Sequence, residues 1–82
     1  MELNEKQLVW RCRRGIRELD VLFTQFRESV YPNLNEQQRL AFQRLLDEQD
    51  PIIMDWLFGK SCSEDQELVD IISELKLISG LK

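Results

Sequence analysis

The sequence predicts an all-α fold, a compact bundle of five short helices. Apolar residues recur at helical spacing in two clean stripes, Leu19-Leu22-Phe23-Phe26-Val30 and Leu68-Ile71-Ile72-Leu75-Ile78. Helix-start pairs, an amide or hydroxyl side chain followed three residues later by Gln, stand at Asn4/Gln7, Asn35/Gln38 and Ser63/Gln66. No stretch sustains alternating polarity with β-rich composition, so no sheet is expected.

The first helix is expected from Asn4 through Leu8 and Cys12, with Gly15 as a C-cap glycine after the basic pair Arg13-Arg14. A second runs from Ile16 along the first stripe until Tyr31-Pro32-Asn33, because proline disfavours helix in the residue before it. Asn35 and Gln38 start a third, which buries Phe42, Leu45, Leu46 and Ala41. Asp50-Pro51 marks a fourth: Asp50 is the expected N-cap, and Pro51 takes the first helical position, where its missing N–H costs nothing. That helix is short and ends at Gly59. Ser63 is expected to cap the fifth, which carries the second stripe.

Composition narrows the function. Eighty-two residues make one domain at most, and a chain of this size has a small core. With 43% hydrophobic and 32% charged residues it reads as globular rather than disordered. The net charge of −4 is a poor starting point for binding a nucleic-acid backbone. The absence of histidine removes Ser-His and Cys-His pairs and every imidazole metal ligand. Cys12 and Cys62 form no CxxC or zinc set and read as two buried free thiols of a reducing compartment rather than a disulfide. No apolar run approaches the about 18 residues of a membrane span, and Met1–Glu5 does not resemble a signal peptide. The expectation is a soluble, cytoplasmic bacterial protein, a monomer, with no membrane insertion.

Charge is concentrated at the first helix break, where Arg11, Arg13, Arg14 and Arg17 place four of the eleven basic residues in seven positions. Helix-dipole compensation accounts for Arg13 and Arg14, but not for Arg11, nor for Arg17 at a helix N-terminus. A recognition patch is the other reading. Arg14 and Glu18 stand four apart in the less favourable order for a helix ion pair, and Gly15 interrupts them. A chain reversal at Gly15 would instead put guanidinium, bare backbone and carboxylate on one exposed corner suited to docking on a protein.

The acidic groups Asp47/Glu48/Asp50 and Glu64/Asp65/Glu67 read as dipole compensation and solubility, the second in the first turn of the last helix. Neither has calcium-loop spacing. Trp56 reads as core. Trp10 points about 160–200° away from Leu8 and Cys12 on a helical wheel, which fits either an interface hot spot or a satellite cluster.

The segment Trp10-Arg11-Cys12-Arg13-Arg14-Gly15-Ile16-Arg17-Glu18-Leu19-Asp20 resembles the signature of the succinate dehydrogenase flavinylation factors, the SdhE (formerly YgfY) family, whose hallmark is Arg-Gly-x-x-Glu. The resemblance continues through Phe26, Tyr31 before Pro-Asn, Phe42 with Leu45-Leu46, Asp50-Pro51 and Asp55-Trp56-Leu57, and so spans most of residues 1–82 as a single SdhE-like helical domain. It departs at Ile52-Ile53, where family members often carry an acidic or polar residue.

The resemblance implies a protein that is not itself an enzyme. It would assist covalent FAD attachment to the flavoprotein subunit of succinate dehydrogenase, fumarate reductase or both, while the FAD belongs to the client and is not bound tightly here. Arg14, Gly15 and Glu18 would meet the client, with Trp10, Arg11, Arg17, Asp20 and Asp50 as weaker candidates on the same surface. The residues leave two other classes open: an antitoxin-like or regulatory protein-binding module, and a nucleic-acid binder acting through the arginine cluster. The chain has no Gly-rich phosphate loop or dinucleotide fingerprint.

Overall fold

In a computed structural model, which describes residues 3–80, the helical periodicity resolves into α1 (Glu5–Cys12), α2 (Arg17–Ser29), α3 (Glu36–Leu45), α4 (Asp50–Leu57) and α5 (Gln66–Ser79). Among the described residues there is no strand, and one 3-10 turn, Tyr31–Asn33, follows α2. The all-α, five-helix architecture is the one the sequence predicts.

Two helix starts form as expected. The Asn4 side chain accepts from the Gln7 N–H at 2.8 Å while Gln7 Oε1 accepts from the Asn4 N–H at 3.1 Å. Asn35 and Gln38 repeat this reciprocal pair at 2.8 and 3.0 Å. Each box satisfies two backbone donors that have no intrahelical acceptor. α4 ends as a glycine requires: at φ 75° Gly59 donates to Trp56 O at 3.3 Å, and Lys60 donates to Asp55 O at 2.9 Å. This is the Schellman pattern, in which a left-handed residue lets the chain reverse onto the helix's last carbonyls.

The core gathers at Phe42. Its ring meets Phe23 edge-on at 5.8 Å and stacks at a tilt on Phe26 (4.7 Å) and Tyr31 (5.6 Å). Leu19, Leu45, Ile53 and Leu75 fill the space around these rings, and α5 packs against α2, α3 and α4 while α1 packs on α2. Burying each such side chain contributes about 1.5–3 kcal/mol, enough to hold short helices that would be marginal alone. Gln43, the buried polar residue, is satisfied by the Tyr31 hydroxyl at 2.8 Å and the Leu3 N–H at 3.0 Å.

Four expectations need correction. Gly15 is not a C-cap glycine: α1 ends at Cys12 in an extended Arg13, and the left-handed residues among those described are Gly59 and Gly80. Asp50 is not the cap of α4. Gln49 holds that position without a side-chain bond, because the Asp50 carboxylate is committed elsewhere. Ser63 does not cap α5. Asp65 does, accepting from the Glu67 N–H at 3.0 Å, while Ser63 Oγ, two residues earlier, accepts from the Asp65 N–H. Cys12 is buried as expected, but Cys62 lies exposed between α4 and α5; both are free thiols.

Candidate functional site

The extended Arg13 carries the chain off α1, and the turn through Gly15 returns it into α2. Two carboxylates fix this turn. Asp20, in the first turn of α2, accepts from the Arg14 N–H at 3.2 Å, and Asp50 Oδ2 accepts from the Ile16 N–H at 3.4 Å. Backbone donors that the turn leaves unpaired thereby find acceptors on either side of Gly15.

The Arg14 guanidinium does not point outward, which corrects the expectation of an exposed fork. Its side chain is only 11% exposed. Nη2 donates to Glu48 O at 2.7 Å, and Nη1 to Leu46 O at 3.0 Å and Arg11 O at 3.2 Å. Nε lies 2.9 Å from Asp50 Oδ1 with its N–H aimed off that line, so this contact is an ion pair rather than a hydrogen bond. The guanidinium carbon stands 5.5 Å from the centre of the Phe23 ring, within cation–π range. Arg14 therefore collects a last-turn carbonyl of α1, the C-cap carbonyl of α3 and a carbonyl of the α3–α4 link in one planar fork, a geometry that lysine cannot reproduce. The dipole reading of Arg14 holds in part, since Arg11 O belongs to the last turn of α1.

The eight predicted residues thus separate into two sets. Arg14, Asp20 and Asp50 turn inward and hold the corner, and Arg11 reaches across to pair with Asp47. Trp10, Gly15, Arg17 and Glu18 are exposed; Trp10 keeps 73% of its surface in water. The side chains of Arg17 and Glu18 form no hydrogen bond or ion pair with the described residues, and Arg14 and Glu18 are not paired with each other.

Sequence reasoning missed that the acidic group at Asp47–Asp50 answers the basic group at Arg11–Arg14. The signal was there in the opposite charges of two clusters at two helix breaks. It also missed a second knot, in which Arg44 donates to Asp65 at 3.0 Å and to Glu67 at 2.9 Å. The Glu67 hydrogen bond foremost holds Arg44 more firmly protonated, against desolvation. Desolvation raises Asp65, but the hydrogen bonds from Arg44 and from the α5 backbone together outweigh it and keep its carboxyl below the usual range. Burial pushes the Cys12 thiol up to about 11, although Arg27 and Arg14 oppose the shift.

Among the described residues no group of three or more His, Cys, Asp or Glu side chains could hold a metal ion. None of their helices is long and apolar enough to cross a membrane. The corner offers an exposed backbone, tied to Asp20 and Asp50 and flanked by charge, an arrangement that another protein's surface could meet.

Comparison with known proteins bears out the resemblance. Residues 6–78 match the family described as the flavinator of succinate dehydrogenase. The chain belongs to that family. An FAD assembly factor SdhE of Coxiella burnetii is 38% identical over 78 residues, covering 95% of both chains. Those of Pectobacterium atrosepticum and Pseudomonas putida are 42% and 46% identical, covering 89% and 82% of this chain and 84% and 77% of their own. Within this flavinator family member, the Arg-Gly-x-x-Glu signature divides by position. Its arginine is the internal fork described above, while its glycine and glutamate face solvent.

Proposed function

We propose that this chain is a non-catalytic assembly factor that docks on the flavoprotein subunit of succinate dehydrogenase and promotes its covalent flavinylation. Gly15 and Glu18 meet the client, Trp10 and Arg17 flank that contact, and Arg14, Asp20 and Asp50 hold the corner in shape. Arg11 contributes through its pair with Asp47. The FAD is the client's and is not held tightly here. Bond formation remains the client's own chemistry, assisted because docking keeps the flavin and its acceptor aligned. The flavoprotein of fumarate reductase is a second client, and the factor acts as a monomer in the bacterial cytoplasm.

One observation carries this reading. Gly15 is exposed and does not adopt a left-handed conformation, and a Cβ built on it would meet nothing closer than Asp50 Oδ2 at 3.9 Å. Neither the turn nor its packing demands glycine. Glycine there supports close approach by a partner's surface.

The test is in-gel flavin fluorescence of denatured extracts from cells lacking the factor and complemented with variants, since covalent flavin survives denaturation and free FAD does not. The expected result is a flavoprotein band restored by the wild type but not by Gly15→Arg or Glu18→Ala. Equal bands in every lane would overturn the reading. A second band at the mass of the fumarate reductase flavoprotein, responding in the same way, identifies the second client.

A further inference from the structure

Beside the corner, α2, α4 and the end of α5 enclose an open groove of about 400 Å³. Leu22, Met54 and Leu57 line it with Val21 and Phe58, and Arg17 and Glu18 line it too. Val21 and Phe58, 49% and 56% exposed, are two of the five large apolar side chains exposed among the described residues. Val21 falls off the buried stripe of α2. Phe58 sits at the C-cap of α4, whose end Gly59 turns back sharply.

We propose that this groove receives a bulky apolar side chain of the client flavoprotein, from a segment carrying a basic residue for Glu18 and an acidic residue for Arg17. The inference rests on the docking function proposed above and extends the contact surface from the corner into the groove. Its first support is continuity: Glu18, one of the two exposed signature residues, is itself a lining residue. The second is charge. Arg17 and Glu18 carry opposite charges with no partners among the described residues. Covering either one without a counter-charge would leave a desolvated, unpaired charge and weaken the contact. The third is size. Ten residues line this groove, fewer than the about 20–30 a side that a stable interface takes, so alone it holds no whole partner. It fits instead as one pocket of a larger docking surface, where an apolar anchor in a desolvated pocket dominates affinity.

The test measures affinity of the full chain for the purified flavoprotein subunit of succinate dehydrogenase. Phe58→Ser, Val21→Gln and Glu18→Ala are compared with wild type, with Tm and sedimentation as controls. The expected result is a Kd raised about tenfold or more by Phe58→Ser, less by Val21→Gln, with unchanged Tm and a monomer throughout. Wild-type affinity in both groove variants alongside a loss in Glu18→Ala overturns the groove while leaving the docking function standing. No measurable binding by wild type overturns both. A wild-type dimer that Phe58→Ser dissociates identifies a second copy as the occupant and also overturns the inference.

Discussion

Arg14 Nε and Asp50 Oδ1, brought to 2.9 Å, join the turn between α1 and α2 to the start of α4. The Arg14 side chain is 11% exposed and that of Asp50 20%, so the pair is screened far less than the surface pairs elsewhere in the molecule. Asp50 gives up capping its own helix to make this contact. The first and third helix breaks, distant in sequence, are thereby fixed to one another just below the exposed Gly15.

Truncating either member should destabilise the fold, and unequally. Arg14→Ala leaves Asp50 without its cation and removes a donor from three backbone carbonyls. We expect a loss of about 2–4 kcal/mol. Asp50→Ala leaves Arg14 its carbonyl acceptors and should cost about 1–2 kcal/mol. The double variant should lose less than the sum by about 1 kcal/mol or more, as a directly coupled pair does. Urea unfolding followed by circular dichroism measures all four corners of the cycle. Strictly additive losses would show that the two residues act independently.

Gly15 should behave in the opposite way. With no strained backbone and ordinary contact distance to Asp50, Gly15→Ala should shift stability by no more than about 0.5–1 kcal/mol, toward greater stability if the unfolded chain is stiffened. Glu18→Ala should also leave the Tm near wild type, since the Glu18 side chain has no hydrogen-bond or ion-pair partner among the described residues. Yet Gly15→Arg and Glu18→Ala should both abolish covalent flavin in the client. Thermal melts set beside flavin fluorescence read the two effects separately. A Gly15→Ala protein that unfolds several kcal/mol early would place the glycine requirement in the fold instead.

Helix number, order and most boundaries were legible because they rest on local signals: two capping boxes, a proline break and apolar stripes of period 3.6. Trp10 was legible as an off-core residue for the same reason. What sequence reasoning could not supply was the choice each polar side chain makes between local and distant partners. Asp50 had a local use, as a cap, and abandons it for Arg14 and the Ile16 N–H. Ser63 and Asp65 both compete for the start of α5, and Asp65 wins because its carboxylate serves Arg44 as well as the Glu67 N–H. Arg14 looked like part of an exposed corner because a chain reversal at Gly15 would turn its neighbours outward together. Only the fold brings the ends of α1 and α3 close enough for one guanidinium to serve both.

The two thiols should differ sharply in reactivity. Cys62 is exposed, whereas Cys12 is buried with its thiol pushed up to about 11, so both access and thiolate fraction protect it. A native chain should release one equivalent with a thiol-titrating disulfide reagent quickly and the second only on unfolding. The raised pKa also has a stability consequence. As pH rises from 9.0, the ordinary value, toward about 11, the unfolded chain loses the Cys12 proton first, so stability falls across that window. The slope is at most about 1.4 kcal/mol per pH unit. Other groups titrate there, so the measurement is the difference between wild type and Cys12→Ala. Parallel curves for the two would contradict the assignment.

The start of α5 should be acid-sensitive, and through Asp65 rather than Ser63. Asp65 is the N-cap and is paired with Arg44, and its folded pKa lies below the ordinary 3.8. A depressed carboxyl contributes stability that is present above the unfolded value and lost as pH falls through the folded one. At neutral pH, Asp65→Ala should therefore lower the Tm more than Ser63→Ala. As the pH is taken from 5 downward through the carboxylate range, the gap between Asp65→Ala and wild type should narrow, because protonation removes from wild type what the substitution has already removed. High salt should narrow it too, since the pair with Arg44 is largely solvent-exposed. Thermal melts of the three proteins across this pH range decide the matter. A Ser63→Ala variant as unstable at neutral pH as Asp65→Ala would return the cap to the serine, the residue that the spacing from Gln66 first pointed to.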